Sequence, residues 1–196
     1  MSFDEDVKPL VVLSKRMEEQ GYRPAAIALQ MAILKLRFAN YCAETIPARH
    51  AGGTPEGALT EACVYFLKAT LDCAAEAVSQ RYELGLPEFA STETFTRLQG
   101  VIRRILTVMG EDSLADRVVA LPKSNWYGYL KWLRDLATHR GLARYDFHAG
   151  GPTYLQRPKW VKGKRFPVQD DLERLIRSVR ATVQSWAQEM VEPNGN

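Results

Sequence analysis

The side chains with chemistry to offer crowd into one stretch, Trp126–Gly141 (WYGYLKWLRDLATHRG), which holds Arg134, Asp135, His139 and Arg140. An imidazole changes charge near neutral pH and can pass a proton, while a guanidinium keeps a fixed positive charge. Asp135 precedes His139 by one helical turn, so it can orient the ring or tune its proton affinity. The set suits proton transfer beside a phosphate-like centre. It suits a plainer task equally. His139 and Arg140 stand in the last turn before Gly141, where positive charge favours the negative end of a helix. An Asp–His pair at this spacing is also an ordinary helix-surface contact.

A second group follows at Arg157–Phe166 (RPKWVKGKRF), where Arg157, Lys159, Lys162, Lys164 and Arg165 are interleaved with Trp160. Cations among aromatics can hold phosphates and stack bases, and a solvated basic loop is the alternative. Histidine ligation is a third idea, through His50, His139 and His148. No HxxxH, HExxH or Glu-x-x-His pair is present and two of the three fall in loop-like sequence, so no metal and no cofactor is expected. Cys42, Cys63 and Cys73 sit among alanines and apolar residues, which argues against a nucleophilic thiol. Cys63 and Cys73 are about 15 Å apart on one predicted helix, too far for a disulfide. Reduced, buried thiols in a cytoplasmic protein are the expectation.

The elements that must position these groups are helical. Residues 1–22 predict a short docking helix around Leu10–Leu13. The next helix starts at Pro24 and ends before Pro47, with Ile27, Met31, Leu34, Phe38 and Tyr41 or Cys42 expected on its inner face. Arg49–Gly57 reads as a loop. A long alanine-rich helix covers about 58–82, with Leu59, Cys63, Phe66, Thr70, Ala74 and Val78 on one side and Tyr65, Lys68, Asp72 and Glu76 on the other. Asp72 is most simply a partner for Lys68. Gly85 and Pro87 break that helix, and Ser91 or Thr92 caps another to about Met109, inward on Leu98, Val101 or Ile102, Ile105 and Met109. A short helix over 113–121 leads to the motif helix, whose buried stripe is expected on Trp126, Tyr129, Leu130, Leu133, Leu136 and Ala137. Residues 143–167 lack a helical period and leave room for a short hairpin. The last helix, 169–191, carries the cleanest stripe (Leu172, Leu175, Ile176, Val179, Val183, Trp186, Met190), followed by a loose tail over 192–196.

The sum is one all-α domain, a bundle of about five main helices with an irregular basic loop before the last. A hydrophobic fraction of 46%, a charged fraction of 25% and a net charge of +3 are ordinary for a globular chain and too mild to argue for nucleic acid alone. No apolar run is long enough for a membrane span, and the acidic N-terminus is unlike a secretory signal.

Arg134-Asp135-Leu136-Ala137-Thr138-His139, an arginine, a polar residue, three more and a histidine, resembles the signature of the HEPN superfamily of helical ribonucleases and nucleotide-binding domains. Tyr65–Val78 (YFLKATLDCAAEAV) is similar to the alanine-rich helix of some bacterial members. The resemblance implies metal-independent RNA cleavage, in which the ribose 2′-hydroxyl attacks the adjacent phosphate and leaves a 2′,3′-cyclic end. His139 would be the acid or base, Arg134 the charge stabiliser and Asp135 the orienting group. Arg140 and the basic loop (Arg157, Lys159, Trp160, Lys162, Lys164, Arg165) would hold RNA. Positions five apart on a helix lie about 140° from each other, so Arg134 and His139 would meet only near a helix end or in a cleft completed by a second subunit. The resemblance further implies a homodimer around this motif, and a protein partner such as an antitoxin or regulator. The alternative is a non-catalytic helical interaction module that uses the motif as a cap.

Overall fold

The computed structural model describes residues 3–46, 54–86, 90–140, 145–146, 154–155, 157–162 and 165–191. For residues 3, 54, 55, 139, 140, 145 and 146 it describes the backbone alone. Five long helices carry the fold: α1 (Phe3–Glu19), α2 (Arg23–Thr45), α3 (Thr54–Arg81), α7 (Asn125–Arg140) and α8 (Val168–Val191). Three short ones, α4 (Thr92–Arg97), α5 (Gln99–Val108) and α6 (Asp112–Ala120), bridge α3 to α7, with a 3-10 turn at Leu121–Lys123. The architecture is the all-α bundle expected. A two-residue antiparallel pair, β1 (Tyr145–Asp146) with β2 (Tyr154–Leu155), is the hairpin for which the sequence left room.

The central element is α3, which packs against α2, α4, α7 and α8. Its alanines let neighbours approach closely, and Ala74, Ala75 and Ala77 are buried. Lys68 is buried rather than solvated, and its Nζ donates to Asp72 at 2.8 and 3.0 Å. Asp72 in turn accepts from the Thr92 backbone N–H and hydroxyl, both at 2.8 Å. One i,i+4 pair thus ties the start of α4 to the core helix. All three cysteines are free, and burial pushes each thiol up from its ordinary pKa.

Three expectations change. The inner face of α2 is reversed. Ala25, Leu29, Ala32, Leu36 and Ala39 are buried, and of the pair Tyr41 or Cys42 it is Cys42 that faces in, whereas Ile27, Met31, Leu34, Phe38 and Tyr41 are 40–66% exposed. Alanine carries little area, but it lets α2 lie close to α3, α1 and α8 at once, and that contact outweighs the bulk of the opposite stripe. The helix expected over 92–109 breaks at Leu98, whose N–H closes α4 on Thr94 O; of the pair Val101 or Ile102 it is Ile102 that is buried, and Leu106 is buried while Met109 is exposed. The loop after Pro47 ends early, since α3 begins at Thr54. The last helix follows its stripe: Leu172, Val179, Val183, Trp186 and Met190 are all buried, and Phe95 stacks on Trp186 at 6.3 Å. The tail at 192–196 lies outside the described residues.

Candidate functional site

A basic cleft of about 630 Å³ lies where α7, the segment of residues 157–162 and 165–166, and the first turns of α8 meet. Helix α7 contributes Trp126 and Tyr129, three residues apart on one side. The segment contributes Arg157, Val161, Lys162 and Phe166, and α8 contributes Asp171, Arg174 and Arg177. The segment is seated on α7 by Trp160. A Cβ added at Gly128 would stand 3.4 Å from the Trp160 ring, an ordinary contact, so the indole lies directly against this turn of α7. A turn closed by Val161 N–H on Pro158 O then aims Lys162 into the opening.

The floor of the cleft is a polar network. Arg157 is ion-paired with Asp171, both nearly buried at 12% and 6% side-chain exposure. The Tyr129 hydroxyl donates to the other Asp171 oxygen at 3.3 Å. Burial pushes the Asp171 carboxyl up from its ordinary value, and the Arg157 guanidinium pulls the other way. Burial and the neighbouring Asp171 charge likewise push the Tyr129 phenol up. The Phe166 ring stands between two guanidinium groups, Arg174 at 3.9 Å and Arg157 at 5.8 Å. Around the rim, Lys162, Arg174 and Arg177 are exposed. Among the described residues no carboxylate forms an ion pair with any of these three. The cleft therefore joins an internally balanced floor to an unbalanced positive rim with aromatic walls. That combination accepts phosphates and flat rings.

The motif residues lie elsewhere on α7. Arg134 is drawn to Asp135 at 3.1 Å and to Glu93 of α4 at 3.8 Å. Eight residues beyond Trp126, it is about 12 Å further along the helix and turned away from the cleft. The Asp135 oxygen expected to orient His139 accepts from Arg134. The helix continues through Arg140, so positions 134 and 139 lie about 140° apart around its axis. The side chains of His139 and Arg140 lie outside the described residues, as do Lys164, His50 and His148.

Of the basic-loop residues, the cleft takes in Arg157 and Lys162. Arg157 is spent on Asp171, so it shapes the floor rather than offering a free charge. Trp160 is half-exposed beside α7, and Lys159 is exposed on the turn without lining the cleft. Arg165 reaches the hairpin, donating to Leu155 O at 3.2 Å with its guanidinium 5.4 Å from the Tyr154 ring. Sequence reasoning missed Asp171, Phe166, Arg174 and Arg177 as site residues and assigned Trp126 and Tyr129 to the core. The signal for two of them was the Arg174/Arg177 spacing on the polar side of α8, where residues three apart share a face. Comparison of the chain with protein-family models, curated proteins and solved structures finds no match.

Proposed function

We propose that the chain is an RNA-binding domain of HEPN-like type that takes single-stranded RNA into the α7/α8 cleft. The observation carrying this reading is the rim of Lys162, Arg174 and Arg177 around the Trp126 and Phe166 walls. Fixed cations would hold successive phosphates, and the aromatic edges would take unstacked bases, which duplexes do not offer. Metal-independent cleavage is the catalytic part of the proposal, on a strand that runs on from the cleft about 12 Å along α7 to the motif, where a second subunit would bring the two groups to one phosphate. His139 would take the proton of the 2′-hydroxyl as it attacks the adjacent phosphorus, and Arg134 would stabilise the added charge. The 5′-oxygen would leave by taking a proton from water, giving a 2′,3′-cyclic phosphate and a 5′-hydroxyl, and His139 would return its proton to solvent. One observation favours a binding-only domain instead: the Arg134 charge is already shared between Asp135 and Glu93.

Labelled single-stranded RNA with EDTA tests all parts. Lys162→Ala/Arg174→Ala/Arg177→Ala is expected to lower affinity at least a hundredfold, and to reduce the salt slope by about 2, at about 0.7 per phosphate contact. His139→Ala and Arg134→Ala are expected to abolish cutting while binding and helical content persist. Binding without cutting by the unaltered chain would leave the binding-only domain. No binding at low salt, or an unaffected triple variant, would overturn the reading.

A further inference from the structure

The reversed face of α2 is the second surface with something to bind. Ile27, Met31, Leu34, Phe38 and Tyr41 follow one another at steps of four, three, four and three residues. That is the spacing of a helix seam built to interlock with another helix. Each of the five is 40–66% exposed. Tyr65 of α3, 62% exposed, continues the patch, and Phe66 packs on Phe38 at 5.3 Å. Taking 150–250 Å² for each large side chain, these groups present roughly 600 Å² of mostly apolar surface. That is the size of the largest patches monomers carry, and most of the roughly 800 Å² each partner of a standard interface buries.

The two ends of the stripe differ in shape and charge. At one end Ile27 and Met31 border an apolar cavity of about 710 Å³ that extends to Cys73 and Ala90. At the other end Tyr41 is the most exposed of the stripe. Arg23 stands beside the cavity and Glu44 one turn beyond Tyr41's end of the stripe, and both are exposed. We infer that this face is a self-association surface for a second copy of the chain, α2 against α2 in antiparallel order about Leu34. Under that two-fold, Leu34 meets its own copy, Met31 meets Phe38, and Tyr41 enters the cavity beside Ile27 of the second copy. The Glu44 carboxylate comes alongside the Arg23 guanidinium at both ends. Hole receives knob and charge receives counter-charge, as an isologous interface requires. This places self-association on α2, a different helix from the Arg134–His139 motif around which the HEPN resemblance implied a dimer, and it does not rest on the RNA reading.

Sedimentation of the full chain from micromolar to 100 µM is expected to show a dimer that dissociates on dilution. Leu34→Cys is expected to give a disulfide-linked dimer under mild oxidation, whereas Val108→Cys, at a site 81% exposed on α5, gives none. Phe38→Glu with Met31→Glu is expected to shift the dimer–monomer midpoint at least a hundredfold, with helical circular dichroism unchanged. Hydrogen exchange on the unaltered chain, needing no variant, is expected to slow along 27–41 as concentration rises. A chain monomeric at 100 µM would overturn the proposal. So would a dimer in which Leu34→Cys fails to cross-link and exchange along 27–41 is independent of concentration.

Discussion

The α7/α8 cleft and the outer face of α2 both leave large rings at the surface, and they do so for opposite reasons. In the cleft two of the three rings have a charged neighbour: Phe166 lies under Arg174, and the buried Tyr129 donates to Asp171. On α2 the rings and aliphatic groups lie side by side, with Lys35 5.6 Å from the Phe66 ring as the nearby cation. A surface whose apolar groups are interleaved with charge stays comfortable in water and selects a charged ligand. A continuous apolar stripe gains by losing water altogether. The cleft's specificity should therefore depend on salt, and the α2 face should not.

The largest expected effect is on the cleft floor. Arg157→Leu leaves Asp171 buried without its cation and should cost about 3–5 kcal/mol at pH 7 by urea unfolding, in the range for breaking buried pairs from one side. The sign with pH is set by the raised Asp171 carboxyl. A group with an elevated folded pKa stabilises most below its ordinary value, and that contribution is lost as pH rises through the elevated one. The variant's deficit should therefore shrink on acidification, and a deficit constant from pH 7 to pH 4 would separate Arg157 from Asp171. Next in size is the contrast across α2. Leu36→Ala, fully buried, should cost about 2–5 kcal/mol. Tyr41→Ala, 66% exposed, should change the unfolding free energy of dilute protein by about 0.5 kcal/mol or less. Equal costs would return Tyr41 to an inner face. Trp160→Ala should weaken RNA binding by about 1–3 kcal/mol, the value of one stacked base, in a titration at fixed salt. An unchanged affinity would make the indole only the wedge over Gly128. The smallest effect on RNA binding is that of Asp171→Asn, which removes a negative charge from the cleft while costing stability by leaving Arg157 without its partner. RNA affinity should rise a few-fold at pH 7, and its gain on acidification should be flatter than in the unaltered chain, since protonating Asp171 removes the same charge.

Periodicity carried well where one side of a helix faces the core. The stripe of α8 from Leu172 to Met190 is buried as read, and Asp72 pairs with Lys68 as its spacing suggested. It misled on α2, because that helix carries two apolar stripes, and the one buried is Leu29, Ile33 and Leu36 with the alanines, while Ile27, Met31, Leu34, Phe38 and Tyr41 face out. The cleft was half legible. Arg157 and Lys162 were singled out from the basic loop, but Asp171 and Arg174 come from the next helix, and a spacing rule within one segment does not join two segments.

By itself the sequence determined the helical class, most helix ends and the identity of the charges available, because glycine, proline and 3.6-residue periodicity act over a few neighbouring residues. Tertiary structure decided which charges are spent and which are free. Arg157 and Arg134 look alike in the chain, yet one is bound under a ring-lined cleft and the other is drawn to Glu93. It also decided that α2 turns its alanines inward, since close packing of several helices is a property of their joint geometry and not of any single stripe.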